Sequence, residues 1–169
     1  MSNTAAGSCV CGAVAYQIEG PYRGFQYCHC SRCRKRTGSS HVSNIFVPVE
    51  QFTWGRGEDK VKRFELPTAK YGSTAFCTEC GSPVPWLTKN GKSMVVGAGG
   101  LDDDPGDRPK FSVFYGSRPD WYVHVSDLEM HETLPGRSGM LTPVRCCSTG
   151  LRVTTAALRL LLAACSSPG

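Results

Sequence analysis

Residues 27–39 read Y-C-H-C-S-R-C-R-K-R-T-G-S, with three cysteines in six positions and four basic side chains among and after them. Cysteines spaced this closely are typical metal ligands, and a structural zinc site requires four protein ligands. The stretch supplies three candidate ligands, Cys28, Cys30 and Cys33. The stretch therefore predicts a metal site whose fourth position is filled either by another side chain or from outside the chain.

The cysteine content and the N-terminal sequence together predict the cellular compartment of the protein. The chain has 169 residues and ten cysteines, a length typical of one ordinary domain. Its start, M-S-N-T-A-A-G-S-C-V-C-G, lacks the basic segment and apolar run of a secretory signal peptide. We therefore expect a cytoplasmic protein, in which clustered cysteines bind metal rather than form a disulfide scaffold.

The net charge of +5 is located mainly near the C-terminus. All 14 acidic residues and 15 of the 19 basic residues lie in positions 1–132. A protein that binds nucleic acid through its phosphates is expected to carry its positive excess on the folded body. The nearly neutral body therefore argues against nucleic acid as a partner.

Short apolar runs rich in β-branched and aromatic residues predict the fold class. They are separated by glycine, proline and polar residues, and helical periodicity is hard to find among them. We therefore expect a mainly β domain of antiparallel strands over residues 1–135. Four of these runs are G-A-V-A-Y-Q-I at 12–18, V-S-N-I-F-V at 42–47, V-K-R-F-E-L at 61–66 and S-M-V-V-G at 93–97.

The composition changes after that region. Residues 151–165 read L-R-V-T-T-A-A-L-R-L-L-L-A-A-C, a segment compatible with a helix. It is too short to span a bilayer and is interrupted by Arg159. We expect residues 136–169 to form a C-terminal extension, either helical or disordered, and we predict no membrane span.

The cysteine spacing also predicts a second, closed metal site. Cys77 and Cys80 form a C-x-x-C turn followed by Gly81, a common zinc-binding turn because it brings two sulfurs to one point. Cys9 and Cys11, in C-V-C, are the most economical partners. These four cysteines would complete a structural zinc site.

Cys28, Cys30 and Cys33 can then converge on another zinc ion. Three protein ligands leave a position open, which is the arrangement of catalytic zinc sites. The alternative is a closed site in which a histidine is the fourth ligand. His29 would point away from the metal if the segment is extended, whereas His41 is free to reach it.

The basic side chains of the opening stretch have a role in this interpretation. Three thiolates on Zn²⁺ give a net charge of −1, which a substrate thiolate would make −2, so nearby cations are favourable. We predict that these side chains contact an anionic thiol substrate, with a merely solvated surface as the alternative. They are Arg32, Arg34, Lys35 and Arg36.

Four motifs carry a resemblance to a known family. They are G-S-C-V-C-G-A-V-A-Y at 7–16, the opening stretch at 27–39, F-C-T-E-C-G-S-P at 76–83 and G-G-L-D-D-D-P at 99–105. In order and spacing they resemble the glutathione-dependent formaldehyde-activating enzyme family, which also contains centromere protein V. The resemblance implies a β-tent fold of packed antiparallel sheets with two zinc ions per chain.

The same resemblance implies a function. Its characterised members are carbon–sulfur lyases that join glutathione and formaldehyde reversibly into S-(hydroxymethyl)glutathione, so we expect a small thiol and an aldehyde as partners. By position, Cys9, Cys11, Cys77 and Cys80 match the structural zinc ligands. Cys28, Cys30 and Cys33 match the catalytic ones.

The sequence also departs from the family pattern. Ser112 stands where members commonly have a histidine, and Asp127-Leu128-Glu129 replaces a D-L-P ending. The region after about residue 137 matches no motif of the family, so we do not count its cysteines as ligands. These are Cys146, Cys147 and Cys165.

Several roles stay open at this point. Thr37, Ser39 and Ser40 are near enough in sequence to act as proton donors, but such hydroxyls more often cap the backbone. We interpret residues 102–104, D-D-D, as a solvated loop rather than as acid–base groups. The alternative function is a noncatalytic zinc-binding module that contacts protein or chromatin, as in centromere protein V.

Overall fold

The computed structural model describes residues 3–70 and 72–134, and it divides the chain into two units, 1–124 and 125–169. In the second unit, the described part contains one short 3-10 turn, Val125–Asp127. The domain boundary predicted at residue 135 stays a prediction. The predicted C-terminal helix or disordered tail lies outside the described residues, as do Cys146, Cys147 and Cys165.

The first unit is built mainly from short strands. One helix and four 3-10 turns interrupt them in the described residues, namely α1 (Ser31–Thr37) and the turns Val49–Gln51, Glu58–Lys60, Ala98–Gly100 and Tyr115–Ser117. The strands are β1 (Thr4–Ser8), β2 (Ala15–Glu19), β3 (Gly24–Cys28), β4 (Val42–Pro48), β5 (Phe52–Arg56), β6 (Val61–Glu65), β7 (Ser73–Cys77), β8 (Pro83–Val84), β9 (Trp86–Leu87), β10 (Ser93–Gly97) and β11 (Phe111–Val113).

The strands form three sheets. The first has the order β1-β2-β5, the second β11-β3-β4-β10-β9 and the third β6-β7-β8. Their pairings are antiparallel except that of β11 with β3, which is parallel. The prediction of a mainly β domain of packed antiparallel sheets is therefore confirmed, with one parallel edge strand that the sequence did not indicate.

Alternating burial explains most of these strands. In β2 the side chains of Tyr16 and Ile18 are buried while Gln17 and Glu19 are exposed, the period of two expected for a strand with one face on the core. In β10 the first four residues are all buried, as expected of an inner strand covered on both faces. Each apolar run thus forms a strand because that conformation places its side chains in the core.

The main core joins the first and second sheets. Fully burying an aliphatic or aromatic side chain contributes about 1.5–3 kcal/mol, so this cluster holds the two sheets together. Its buried members are Ala5, Tyr16, Ile18, Phe25, Ile45, Val47, Met94 and Val96.

A smaller core lies against the third sheet. It contains Val14, Ala75 and Val84, together with the cysteine side chains of Cys9 and Cys77. Two of the predicted structural ligands are therefore part of the hydrophobic packing. A change at these two cysteines would therefore disturb the packing of β7 and β8.

Across residues 3–70 and 72–134, the structure contains no helix with the length and apolar character needed to cross a membrane.

Candidate metal centres and the adjoining cleft

The structure brings Cys9, Cys11, Cys77 and Cys80 together. Their four sulfurs lie within 4.8 Å of one another, with Sγ–Sγ distances of 3.4 Å from Cys9 to Cys11 and 4.0 Å from Cys11 to Cys77. These distances are far longer than a disulfide bond. A tetrahedron with Zn–S bonds of about 2.3 Å has sulfur–sulfur edges of about 3.8 Å, so the cluster has the size of a zinc site.

Two glycine turns shape this four-cysteine cluster. Gly12 follows Cys11 with φ +73°, and Gly81 follows Cys80 with φ +74°, values that favour glycine because it lacks a Cβ. The Gly81 amide donates to the Cys77 carbonyl at 2.8 Å. The Val10 amide donates to Ser82 Oγ at 3.2 Å and so links the two turns.

Three thiols of the four-cysteine cluster have shifted pKa values, two lowered and one raised. Despite burial, the Val14 amide and the thiols of Cys11 and Cys77 lower the pKa of Cys9. Hydrogen bonds from Ser82 lower the pKa of Cys80 to about 6. Although the Ala13 amide acts in the opposite direction, the neighbouring thiols raise the pKa of Cys11 to about 12. Four thiolates at this spacing repel one another, so ionisation of all four cysteines is unfavourable. A divalent cation bound between them would offset that repulsion.

Cys28, Cys30 and Cys33 form a second cluster, again with their sulfurs within 4.8 Å of one another. Cys28 is the last residue of β3, Cys30 precedes α1 in an extended conformation, and Cys33 lies in the first turn of the helix. The end of β3 and the start of α1 thus place three thiols around one point. In this triad a hydrogen bond from Cys33 lowers the pKa of Cys28 to about 5, while the pKa of Cys33 itself is raised.

Helix α1 depends on its surroundings, because seven residues are too few for a stable isolated helix. It ends at Gly38, whose φ of 67° is left-handed and whose amide donates to the Arg34 carbonyl at 2.8 Å. Thr37 Oγ1 donates to the Cys33 carbonyl at 3.0 Å, so this hydroxyl is engaged with the backbone. The glycine cap and this hydrogen bond fix the turn that carries Cys33.

Neither His29, expected to point away from the metal, nor His41, the alternative fourth ligand, joins the triad. Within residues 3–70 and 72–134, no histidine nitrogen belongs to either cysteine cluster. His29 is 1% exposed and packs edge-on against Tyr115 and Tyr122, with ring centroids 5.3 and 5.4 Å away. His41 lies 5.2 Å from the His29 ring, and its Nδ1 is 3.0 Å from Ser40 Oγ.

The four predicted basic contacts occupy different positions. Arg32 and Lys35 are exposed, and Arg34 Nε donates to the His29 carbonyl at 3.2 Å. Arg36 is partly buried; its guanidinium donates to Asn44 Oδ1 at 3.2 Å and lies over the Trp86 ring at 5.9 Å. Burial lowers the pKa of Arg36, and the three triad cysteines oppose that lowering, so this cation lies in their field.

A cleft of about 600 Å³ is lined by two residues of α1, but by none of the three triad cysteines. Arg36 and Thr37 line it; they follow Cys33 by three and four residues and so share its side of the helix. His41 also lines it, while Cys9 and Val10 reach it from the four-cysteine cluster. The full lining is Ser8, Cys9, Val10, Tyr16, Arg36, Thr37, His41, Val42, Ser43, Ser82, Pro83, Val84, Gly97, Gly99, Gly100 and Asp102.

The acidic loop is exposed and tied to β1. Asp102 Oδ1 accepts a hydrogen bond from Ser8 Oγ at 3.1 Å, and Asp103 Oδ2 accepts one from the Ala6 amide at 3.0 Å. Ser39, another candidate donor, is exposed, as is Ser112 on β11. The loop is therefore solvated, and Asp102 alone among its acidic residues lines the cleft.

The sequence analysis missed the aromatic cluster around His29. It includes Tyr115, Tyr122 and His124, and Tyr115 Oη lies 2.9 Å from His124 Nε2. The density of aromatic residues between positions 111 and 124 was the available signal. It carried no information about contact with residues more than 80 positions earlier.

Comparisons with known proteins agree with the motifs. A family model for "Glutathione-dependent formaldehyde-activating enzyme" matches residues 4–117. A Halomonas elongata protein named "Putative glutathione-dependent formaldehyde-activating enzyme" is 26% identical over 136 residues, which cover 77% of this chain and 86% of that protein. A crystal structure of a Rhodobacter sphaeroides protein has a TM-score of 0.49 and 22% identity, covering 63% of this chain and 98% of that one.

Proposed function

The chain belongs to the glutathione-dependent formaldehyde-activating enzyme family, and on that premise we propose that it is a zinc-dependent carbon–sulfur lyase. Its substrates would be a small thiol, with glutathione the first choice, and formaldehyde. The observation that carries the proposal is the cluster of three cysteine sulfurs, which no histidine nitrogen joins among the described residues. Three protein ligands leave one position of a tetrahedral zinc ion for a substrate thiol.

The donor sets fit zinc at both clusters. Thiolates are soft ligands that suit zinc, and the sulfur spacing in the four-cysteine cluster matches a tetrahedron. We propose that Cys9, Cys11, Cys77 and Cys80 hold a structural ion, because four ligands leave no open position. The triad would hold the catalytic ion, which when bound keeps a substrate thiol ionised at neutral pH.

The residues of the chain would contribute position and charge to the reaction. Arg36, in the field of the three cysteines, offsets the negative charge that a fourth thiolate adds. The thiolate sulfur attacks the formaldehyde carbon, forming a carbon–sulfur bond while the carbonyl electron pair moves to oxygen. That oxygen takes up a proton to give a hydroxyl group, so the product is a hemithioacetal and the reaction requires no oxidant or reductant.

A cytoplasmic location is part of the proposal. All seven cysteines in the described residues are free thiols, and two clusters of free thiols suit a reducing compartment.

An interaction module is the second candidate function. Several large apolar side chains near β11 are exposed in the first unit, including Phe114 at 60% and Trp121 at 67%, and such residues are frequent in protein interfaces. Lack of catalysis together with capture of a protein partner would favour it over the lyase.

Exchange spectroscopy with ¹³C-formaldehyde and glutathione would test the lyase directly. The adduct forms without catalysis, so the rate is the relevant quantity. We expect zinc-loaded protein to accelerate exchange between free formaldehyde and S-(hydroxymethyl)glutathione, and Cys30→Ser to remove the acceleration. An exchange rate equal to that without protein would contradict the proposal.

A further inference from the structure

The residue between two of the triad cysteines is held through both its backbone and its side chain. His29 lies between Cys28 and Cys30 in sequence and is 1% exposed. Its amide donates to the Val113 carbonyl at 3.1 Å, and its carbonyl accepts from Arg34 Nε at 3.2 Å. Because Cys28 ends a strand and Cys30 is extended, the direction of the side chain between them is linked to the directions of both cysteines.

The ring of His29 is packed against other rings. Tyr115 and Tyr122 approach it edge-on, with centroids 5.3 and 5.4 Å away, and His41 lies against it at 5.2 Å. The buried Nδ1 atom of His29 has no hydrogen-bond partner among the described residues. Edge-on aromatic pairs at such distances are favourable, so the two tyrosines hold this ring by packing.

The backbone beside Tyr115 is strained. Phe114 has φ +53° and is alone in having a positive φ among the described non-glycine residues, a conformation that costs an L residue energy. The side chain of Phe114 is 60% exposed, so its own packing does not explain the strain. Val113 and Tyr115, on either side, both contact His29, and these two contacts offset the cost.

The two tyrosines also support each other. Their rings are edge-on with centroids 6.3 Å apart, and the Tyr122 amide donates to the Pro119 carbonyl at 3.0 Å. Arg118 lies over the Tyr115 ring at 4.4 Å and donates to the Tyr115 carbonyl at 3.2 Å. Residues 113–122 thus form one connected segment around His29, which we call the aromatic clamp.

We propose that Tyr115 and Tyr122 are positioning residues for the three-cysteine site. By holding His29, the aromatic clamp fixes the relative directions of Cys28 and Cys30 and so raises the affinity of the triad for zinc. The inference rests on the proposed zinc ion at this site and deepens it, because it assigns the arrangement of the ligands to a segment distant in sequence. The rings make the contacts with His29, so the role does not require the tyrosine hydroxyls.

Competition between the zinc-loaded protein and a chromophoric zinc chelator tests this assignment. We expect Tyr122→Ala to weaken zinc binding at the triad about 10-fold or more, as is typical when the support of a metal ligand is removed, and to leave the four-cysteine cluster unchanged. Tyr122→Phe keeps the ring and should bind zinc as the unmodified protein does. Cys30→Ser, which should retain only the zinc ion of the four-cysteine cluster, identifies which ion is released first.

Trp121→Ala is the matched control for Tyr122→Ala. It removes a larger aromatic ring at the adjacent position, where the side chain is 67% exposed. We expect it to change the zinc affinity of neither cluster.

Hydrogen exchange of the unmodified protein, followed by NMR, is a second measurement and needs no variant. Coupling between two parts of a protein is reciprocal, so zinc at the triad steadies the aromatic clamp if the clamp steadies the ligands. The amides of Ser117 and Tyr122 donate to the carbonyls of Phe114 and Pro119. We expect these amides to exchange about 10-fold more slowly with two zinc ions bound than after chelation of the triad ion.

The outcomes separate this inference from the proposed function. Unchanged triad affinity in Tyr122→Ala, equal losses at both clusters, a Tyr122→Phe variant as weak as Tyr122→Ala, or equal exchange rates would overturn the positioning role while the lyase proposal stands. If the triad of the unmodified protein binds no zinc, the proposed function fails and the inference fails with it. A selective loss at the triad, restored by phenylalanine, is the result expected.

Discussion

The carboxylate of Asp104 is held by a two-point contact with one arginine. Arg108 Nη1 and Nη2 lie 2.7 and 2.8 Å from its two oxygens, and the Gly106 amide donates to Oδ1 at 2.8 Å. These hydrogen bonds, above all those from Arg108, lower the pKa of Asp104 to about 2. The ion pair closes the exposed turn that follows Asp102.

We predict that Arg108→Gln raises the pKa of Asp104 toward the ordinary value of about 3.9. A carboxyl whose pKa is lower in the folded state stabilises the fold above its unfolded pKa, and this contribution is lost as the pH falls from about 4 to 2. NMR titration of the carboxyl carbon measures the shift, with Lys62→Gln as a control. An unchanged titration midpoint in Arg108→Gln would show that the contact does not persist in solution.

At the residue scale, the spacing of the cysteines predicted more of the candidate site than the positions of the basic residues did. Close spacing predicted which cysteines lie together locally, and the grouping of Cys9 and Cys11 with Cys77 and Cys80 followed because each pair supplies half of a four-ligand site. The run of basic residues gave no reason to prefer Arg36 over Lys35. That distinction depends on Asn44 and Trp86, which the fold brings to Arg36 from other strands.

A turn between β5 and β6 requires glycine for two reasons. Gly57 has φ +69°, which L side chains rarely adopt, and a Cβ at this position would collide with the Ala13 carbonyl oxygen. Ala13 belongs to the segment that follows the Cys11 turn. A side chain at position 57 would therefore push β5 away from the first cysteine pair.

We predict that Gly57→Ala lowers the free energy of unfolding by about 2 kcal/mol or more, because strain and collision add. Gly91→Ala is the matched control: Gly91 also has a positive φ, of +71°, but apart from its chain neighbours no atom of the described residues lies within 4 Å of its added Cβ. It should cost only about 1 kcal/mol. Urea unfolding of both variants tests this, and equal losses would show that backbone strain alone explains the effect.

The elements differ in how well the sequence predicted them. The run at 93–97 corresponds to β10 and that at 42–47 to β4, because buried inner strands are rich in apolar and β-branched residues. Helix α1 was not predicted, since its seven residues contain no buried side chain and its stability comes from its cap and neighbours. The parallel pairing of β11 with β3 was also missed, because residues 111–113 are mostly exposed.

At the scale of the whole chain, the two cysteine clusters should affect folding differently. Cys77 is 0% exposed and belongs to the smaller core, whereas Cys30 is only partly buried. Structural zinc binding contributes directly to folding. We expect two zinc ions per chain, severe destabilisation by Cys77→Ser, and about one zinc ion with a smaller loss of stability for Cys30→Ser.

Elemental analysis and thermal unfolding of these two variants, prepared under reducing conditions with zinc present, measure both quantities. The pair is matched because each change replaces one sulfur by a hydroxyl oxygen. A single zinc ion in the unmodified protein, or equal destabilisation by the two changes, would contradict the assignment of separate structural and catalytic sites.

The cleft was the part of the molecule least accessible from the sequence. Its lining comes from segments around residues 8, 36, 82 and 100, which only the packing of the sheets brings together. The family motifs covered each segment separately, but they did not show that Arg36 and Asp102 line the same cleft.

The central claim is that the three-cysteine site accepts a thiol as its fourth ligand. Cobalt substitution followed by titration with glutathione tests it most directly, because the visible and near-ultraviolet absorption of tetrahedral cobalt depends on its ligands. The account predicts that glutathione increases the thiolate-to-cobalt absorption in a saturable manner, and that Cys30→Ser abolishes this change. A spectrum that no concentration of glutathione alters would contradict the claim.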